Sequence, residues 1–478
     1  MALSLRSLLL TASLVVTSAG LAQAQSQSPP LMPAVPLPPP NSPYLGGVPT
    51  GDPTDTALPI SLREAIDRGL RANLGLLVAQ EGVTAAHGTR WESLSGLLPD
   101  VSARVGEARR KVSLAEFGFT TFPGITSSTV GPFNVFDTRV NISQPVVDLS
   151  AIYSARAGSA NLKAAEYEVK NARDLVVLVV ANLYLETVSA AARVEVARAA
   201  SATADALFGL ASDLKNAGLA AGIDLLRAQV QQQTEKQRLI VAVNDLAKSK
   251  LQLGRAIGLP PGQDVTLTDA MPYAPLEGLS LEHALQRAYG ARSDYLAAQA
   301  LLKAAEASRK SAQMSLLPTL SVAGELGRVG TEVSATDFIY GIAASVSVPV
   351  FAKGHQQARL ARTDSELAER RAEVADMKAH VDLEVRSAVL DVQAAQQALE
   401  AARTNVDLAN QQLVQSRDRF SAGVTGNIEV VQSQEAVARA NDSYITALYA
   451  HNLAKASLAR AVGIAEEAVQ SYLGGARQ

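Results

Sequence analysis

The residue types that most often carry chemistry are scattered along this chain of 478 residues. Gly423 to Asn427 contains two glycines but lacks the lysine and serine of a phosphate-binding loop, and the chain has no Gly-x-Ser-x-Gly nucleophile elbow. None of the five histidines has the His-Glu-x-x-His spacing of a zinc site. They are His87, His283, His355, His380 and His451. We therefore expect no enzyme, no cofactor and no metal site.

Composition removes further classes of protein. The chain has no cysteine, which excludes a disulfide framework, a thiolate metal site and a lipidated cysteine. Its formal net charge is −3 with lysine and arginine spread along its length, so it lacks the footprint of a nucleic-acid-binding protein. Beyond the N-terminus, the longest apolar run is Leu175 to Leu185, about half of what a membrane-spanning helix needs. We do not expect an inner-membrane protein.

The N-terminal region has two parts. One basic residue, an apolar run from Leu8 to Leu21 and then small residues predict a signal peptide over 1–24, and hence export. The following stretch, 25–59, is rich in proline, which favours an extended segment without regular backbone hydrogen bonds.

The remainder of the chain is an internal duplication. Two pairs of motifs are offset by 219 positions and two later pairs by 205, so the first copy has about 14 more residues near its middle. The pairs are Ser61-Leu62-Arg63-Glu64-Ala65 with Ser280-Leu281-Glu282-His283-Ala284, Leu97-Leu98-Pro99 with Leu316-Leu317-Pro318, Ala217-Gly218-Leu219 with Ala422-Gly423-Val424, and Gly254-Arg255-Ala256 with Ala459-Arg460-Ala461. This predicts a first repeat over 60–265, a linker over 266–279, a second repeat over 280–465 and a tail over 466–478.

Each repeat is expected to contain very long coiled-coil helices. In the second repeat, apolar residues recur at alternating spacings of four and three, which is the heptad seam of a coiled coil. They are Val381, Val385, Ala388, Val392, Ala395, Leu399, Ala402, Val406, Ala409 and Leu413. A proline-free stretch from Ser150 to Gly218 would be about 100 Å long as one helix. We expect one long antiparallel helical hairpin per repeat, preceded by a shorter helix (about 61–96 and 280–315).

Four segments have the alternation of apolar and polar residues that is typical of strands, and each repeat contains two. They follow Pro99 and Pro318 and precede Pro145 and Pro349. Their lengths suit the ~25 Å apolar band of an outer-membrane barrel. Four strands cannot close such a barrel, and open edges are not tolerated in lipid, so we expect a barrel shared between several chains.

This order of elements resembles the TolC-like outer-membrane efflux proteins, the outer-membrane components of tripartite efflux and type I secretion systems. The resemblance covers roughly Leu58 to Gly463 and includes Leu-Leu-Pro before each first strand and the two hairpin turns. It implies an α+β membrane protein: a homotrimer whose twelve-stranded β-barrel, four strands per chain, continues into a long helical coiled-coil barrel across the periplasm. The implied partners are a periplasmic adaptor, an inner-membrane pump of RND, ABC or MFS type, and outer-membrane lipid.

The resemblance also implies functional positions at the turns. Asp224 and Glu429 match acidic residues that narrow the closed periplasmic end, while Gln432 and Thr425 stand where a second acid and an arginine occur in the family. Acids in a first helical turn are also favoured by the helix dipole, so that explanation stays open.

The two turns themselves are expected to contact the adaptor, through Gly218 and Leu219 in the first turn and Gly423 and Val424 in the second. Glycine is also common in any tight turn after a helix. The competing hypothesis for the whole chain is an exported coiled-coil scaffold or adhesion protein without a pore. The sequence does not distinguish drug efflux from export of a protein or polysaccharide.

Overall fold

The computed structural model describes residues 41–118, 129–218, 221–271, 280–350, 354–422 and 424–467, together with Pro39 and Tyr273. In chain order the elements are β1 (Leu58–Ile60), α1 (Leu62–Ala72), α2 (Leu74–Ser95), β2 (Asp100–Ser113), β3 (Thr129–Val147), α3 (Leu149–Asn216), α4 (Gly222–Ala256), β4 (Val265–Leu267), α5 (Leu281–Ala291), α6 (Ser293–Met314), β5 (Thr319–Glu332), β6 (Ala335–Ser347), α7 (His355–Ser421) and α8 (Asn427–Ala461). The order of helices, strand pair and helical hairpin occurs twice along the chain.

The two long helical hairpins dominate the molecule. α3 has 68 residues and α7 has 67, so each is about 100 Å long at 1.5 Å per residue. α4 and α8, with 35 residues each, return along them. α3 starts directly after a strand because the Asp148 carboxylate accepts a hydrogen bond from the Ala151 amide at 2.9 Å.

The predicted heptad seam is the buried stripe of α7. Eight of its ten positions are buried, while Val406 and Leu413 are half-buried. Alanine alternates with larger residues along this stripe, which lets α8 approach α7 closely. The hairpin packs by the coiled-coil geometry that the spacing predicts.

The shorter helices differ from the prediction, because each is interrupted. The expected helix over 61–96 breaks at Asn73 and that over 280–315 breaks at Arg292, where the backbone is extended (ψ 127° and 116°). The Asn73 side chain accepts from the Gly75 amide at 3.0 Å and so starts α2. Arg292 is buried and forms ion pairs with Asp294 and Glu384. Contacts from elsewhere in the chain therefore compensate for each break.

The four predicted strands form one antiparallel sheet in the order β2-β3-β5-β6. The two strands of the second repeat are joined by Val333 and Ser334, whereas β2 and β3 are joined by residues 114–128. The extra residues of the first repeat therefore belong to this connection, most of which (119–128) lies outside the described residues. β2 and β6 form the two edges of the sheet within one chain.

One face of this sheet is apolar and exposed. Val101 pairs with Ile142, and Leu326 pairs with Tyr340, so these side chains share a face. The exposed fractions reach 69% for Val105, 75% for Tyr340 and 81% for Ile342. The opposite face carries mostly small and polar residues, among them Ser102, Arg104, Asn141, Glu325 and Ser345. Such a sheet matches a barrel wall with lipid on one side and water on the other.

The hydrophobic core surrounds the middle of α3. Residues from Val176 to Leu185 are buried against α1, α4 and the small parallel sheet β1–β4. This helix does contain an 18-residue window apolar enough to span a membrane, with a mean hydropathy of 1.9, so the prediction from the sequence understated its apolar character. Since 78% of that window is buried in the protein, it is a core helix.

The proline-rich segment is docked onto this core over its described part. The Asn73 side chain donates to the Tyr44 carbonyl at 2.7 Å, and the Val48 amide donates to the Ala72 carbonyl at 2.8 Å. Gly258, with φ of 70°, comes so close to Ala72 that a side chain would collide with it. The signal-peptide prediction (1–24) and most of the tail (468–478) lie outside the described residues.

Candidate functional site

The residues singled out from the sequence lie at the far ends of the two helical hairpins. We call residues 217–224 the first tip and residues 422–429 the second tip. Leu219, Ala220 and Gly423 lie outside the described residues. The other positions can be placed.

The first tip is closed by a left-handed glycine. α3 ends at Asn216 and is capped by Ala217, whose amide donates to the Asp213 carbonyl at 2.9 Å; Gly218 follows with φ of 74°. Glycine takes this conformation without steric cost, which explains its place here. Asp224 lies in the first turn of α4, where its carboxylate forms an ion pair with Arg227 at 3.5 Å.

The second tip holds its acidic residue more tightly. The Thr425 hydroxyl donates to one carboxylate oxygen of Glu429 at 2.6 Å, and Arg419, in the last turn of α7, lies 3.4 Å from the other. The Val424 amide donates to the Arg419 carbonyl at 3.0 Å. Thr425 therefore contacts the Glu429 carboxylate. An arginine at position 425 would be attracted to the same group.

The structure also brings the two tips of one chain together. The Asn427 side-chain amide donates to the Asp224 backbone carbonyl at 3.3 Å. Asn427 is only 1% exposed, and Val430, one turn further on, is fully buried. Sequence reasoning assigned no role to Asn427. A polar side chain at the first position of α8 was the only available signal.

Further along the helices from the tips, a cluster of charged side chains links α4 to α8 by hydrogen bonds. Arg238 donates to Glu235 at 2.7 Å and to Glu435 at 3.1 Å, and Gln231 donates to the same two carboxylates at 2.8 and 3.2 Å. Nearer the middle of the hairpins, Arg193 of α3 donates to Asp442 of α8 at 2.9 Å.

The pKa values of the two acids of this cluster, Glu235 and Glu435, are shifted in opposite directions. Burial raises the pKa of Glu235, with Arg238 offsetting only part of that effect. Burial also disfavours ionisation of Glu435, but hydrogen bonds from Arg238 and Gln231 outweigh it and hold the Glu435 pKa below its usual value. Arg238 therefore pairs with one acid whose ionisation is disfavoured, Glu235, and with one whose ionisation is favoured, Glu435.

The ends of the two helical hairpins thus carry two acids, two arginines paired with them, and a hydrogen bond between the hairpins. Asp224 and Glu429 have 19% and 33% of their side chains exposed. Val424 is 70% exposed and available for contact with another molecule, and Gln432 is also exposed. Among the described residues, no group of three or more histidines and acids is arranged to bind a metal ion.

The chain is similar to known proteins in both sequence and structure. A family described as "Outer membrane efflux protein" matches residues 65–259 and 284–464, so both repeats are included. The pyoverdine export outer membrane protein OpmQ of Pseudomonas aeruginosa is 24% identical over 382 residues, 77% of each chain. The toluene efflux pump outer membrane protein TtgF of Pseudomonas putida is 22% identical over 400 residues, 80% of this chain and 79% of TtgF.

Solved structures have the same fold. The outer membrane protein VceC of Vibrio cholerae superposes with a TM-score of 0.73 at 18% identity, over 84% of this chain and 96% of VceC. The CmeC outer membrane channel of Campylobacter jejuni gives a TM-score of 0.73 at 16% identity, over 93% and 98%. Since the family match spans both repeats and the fold agrees throughout, the chain belongs to the outer membrane efflux protein family and is an efflux channel of the outer membrane.

Proposed function

We propose that three copies of this chain form one channel, whose twelve-stranded barrel lies in the outer membrane and whose helical tunnel crosses the periplasm. The open four-stranded sheet with one exposed apolar face carries this proposal. Both of its edges need partners in lipid, and the order of the strands allows β2 of one copy to continue from β6 of the next. Membership of an efflux-channel family favours this over a scaffold without a pore.

The helices continue the wall into the periplasm. α2, α3, α6 and α7 adjoin the four strands in the same order as the strands lie in the sheet, and neighbours in this series pack against each other. α4 and α8 complete the hairpins toward the tips. Three such walls would enclose a tunnel about 100 Å long.

The tips are proposed to close this tunnel when it is idle. Asp224 and Glu429 would narrow its periplasmic end with negative charge, partly neutralised by Arg227 and Arg419. The Asn427–Asp224 hydrogen bond and the Arg238–Glu435 ion pair hold the two hairpins of one chain together. Opening would separate the hairpins and break these contacts.

The same tips are proposed to dock a periplasmic adaptor, which links the channel to an inner-membrane pump of RND, ABC or MFS type. Gly218, Leu219, Gly423 and Val424 would form the contact surface. A photo-crosslinking residue at Val424 or Leu219 should capture the adaptor in cells, and one at Val333, between β5 and β6, should not. Capture only from Val333 would contradict docking at the tips.

The proposed substrates are small molecules. Relatives named for pyoverdine export and for toluene efflux support this class over secreted proteins. We propose no catalytic role for the chain. Deletion of its gene should increase the sensitivity of the cells to toxic small molecules while protein secretion stays unchanged, and a loss of secretion alone would contradict the proposal.

A further inference from the structure

Large apolar residues are exposed where the four strands pass into the helices. They include Leu98, Val147, Leu317 and Val348, whose exposed fractions are 49%, 43%, 40% and 56%. Within the next two turns of helix lies the chain's single tryptophan, Trp91, which is 63% exposed. Trp91 stands only four residues from the end of α2, about 6 Å along its axis. This is the level at which the apolar band of the sheet ends.

An aromatic and basic cluster occupies the same level on the neighbouring helices. The Arg156 guanidinium lies 4.9 Å from the centre of the Tyr153 ring, and the Lys310 ammonium lies 5.8 Å from it. Tyr153 and Arg156 belong to the first two turns of α3, and Lys310 to the last turns of α6. Arg156 and Lys310 are exposed.

These side chains lie on one side of the helical wall. α3 contacts α6 through Ser150, which is hydrogen-bonded to Ser311 at 3.1 Å, and contacts α2 through Gly158, which lies against Ser93. At about 100° per residue, these contacts are about 80° apart around α3, and Arg156 lies about 160° from Gly158. Both neighbouring helices therefore contact the face of α3 opposite Arg156. The wall is concave on that face, and Arg156 lies on the convex side.

Trp91 is on the same side as Arg156. Arg90, the residue before Trp91, donates to Ser159 of α3 at 3.2 Å and marks the contact between α2 and α3. Side chains on each helix can be described by their rotation about the helix axis from the residue that contacts the other helix. When two right-handed helices run antiparallel, side chains rotated in the same direction along the chain lie on the same side of the pair. Trp91 is about 100° past Arg90, and Arg156 is about 60° past Ser159 in that sense.

Acidic residues do not cancel this charge. Glu92 is about 100° further around α2 than Trp91, and Glu306 lies one turn further from the sheet than Lys310. Arg309 of α6 is paired with Asp364 of α7, so it does not add to the positive charge of this surface. The convex side at this level thus combines an apolar rim, two aromatic rings and two exposed cations.

We propose that Trp91, Tyr153, Arg156 and Lys310 form a binding surface for the headgroups of anionic phospholipids in the periplasmic leaflet of the outer membrane. The inference rests on the proposed function, because a closed tunnel makes the convex side its outer side. Aromatic rings favour the boundary between lipid and water, and basic residues there attract anionic headgroups. The surface adjoins the lipid-facing side of the sheet, which leaves the membrane as its occupant.

The single tryptophan permits a direct test. Full-length protein is reconstituted in phosphatidylcholine bilayers, and brominated phosphatidylglycerol or brominated phosphatidylcholine is titrated in as a quencher of Trp91 fluorescence. We expect quenching by both lipids with a preference for phosphatidylglycerol. The double variant Arg156→Gln/Lys310→Gln should lower that preference by up to about thirtyfold, which corresponds to about 1 kcal/mol for each of the two basic residues near a charged surface.

The matched control is Lys163→Gln/Lys170→Gln. These lysines flank Tyr167 at 5.0 and 5.6 Å in the same kind of contact, but they lie about 20 and 30 Å along α3 from its first residue, beyond the headgroups. The control should keep the wild-type preference. Quenching of Trp91 only by a water-soluble quencher, or an equal response to both lipids in the wild type, would overturn the proposal. Bilayer conductance of the same samples reports separately on whether a channel forms.

Discussion

The first residue of α8 reaches across to the first turn of α4: the Asn427 side-chain amide donates to the Asp224 carbonyl at 3.3 Å. This hydrogen bond joins the two tips within one chain, at a position where Asn427 is almost fully buried. Each helical hairpin is internally regular, so the contacts between hairpins determine how the tips sit. A single substitution at Asn427 removes this hydrogen bond.

Replacing Asn427 with alanine should make the channel open more readily. Loss of a buried hydrogen bond costs about 1 kcal/mol, which corresponds to roughly a fivefold shift toward separated tips. Single-channel recording in planar bilayers measures the time spent at high conductance. Asn441→Ala is the control, since the Asn441 side chain donates to the Val437 carbonyl of its own helix and not to the other hairpin in the described part of the chain. An unchanged distribution of conductance for Asn427→Ala would show that this contact does not help to keep the tips closed.

The ion pair between Arg238 and Glu435 should contribute to the same equilibrium. Arg238 is 43% exposed, so solvent limits the coupling to about 0.5–1 kcal/mol. Arg238→Met and Glu435→Met should each increase opening, and the double variant should exceed either single variant only slightly. A double-mutant cycle on the open probability checks this. Fully additive effects would show that the two residues act independently.

Neutralising Glu429 should weaken block of the channel by cations. The Glu429→Gln variant keeps a hydrogen-bond acceptor for Thr425 but removes the charge that Arg419 only partly compensates. The concentration of a divalent cation needed for half-maximal block of single-channel conductance should rise. Glu369→Gln, on α7 far from the tip, should leave it unchanged. Equal block in the wild type and Glu429→Gln would show that Glu429 does not contribute to the negative charge at the periplasmic end.

Asp174 should make the fold less stable as the pH rises. Burial, reinforced by Glu466, raises the pKa of this carboxyl from 3.8 to about 6. The folded state therefore holds the proton more tightly than the unfolded state. The loss of folding stability caused by ionised Asp174 is fully present above pH 6 and absent below about pH 4. Asp174→Asn should stabilise the protein by about 1–3 kcal/mol at pH 7.5, with the gain fading toward pH 4.

Thermal unfolding of the purified protein at a series of pH values measures this difference. Asp382→Asn provides the comparison, because the Arg386 hydrogen bond lowers the pKa of Asp382. Relative to the wild type, this variant should not gain stability as the pH rises. A constant difference between wild type and Asp174→Asn across the pH range would contradict the prediction.

The regular parts of the fold were accessible from the sequence because they depend on local periodicity. The heptad seam from Val381 to Leu413 and the alternation before Pro145 and Pro349 each report one repeated environment, and the structure confirms both. The duplication then fixed their order.

The breaks and cross-contacts were not accessible, because they depend on distant partners. The interruption at Arg292 is stabilised by Glu384, 92 residues away, and the contact of Asn427 with Asp224 spans 203 residues. Neither leaves a local pattern. Docking of the proline-rich segment likewise depends on Asn73 bonding to Tyr44, which composition alone does not indicate.

The central claim is that an assembly of this chain encloses a pore. The most direct measurement is the conductance of the purified full-length protein in planar lipid bilayers. We expect stable insertion and discrete single-channel steps from a trimer, with a larger fraction of time at high conductance when Asn427→Ala loosens the tips. A soluble oligomer that neither inserts nor conducts would contradict it.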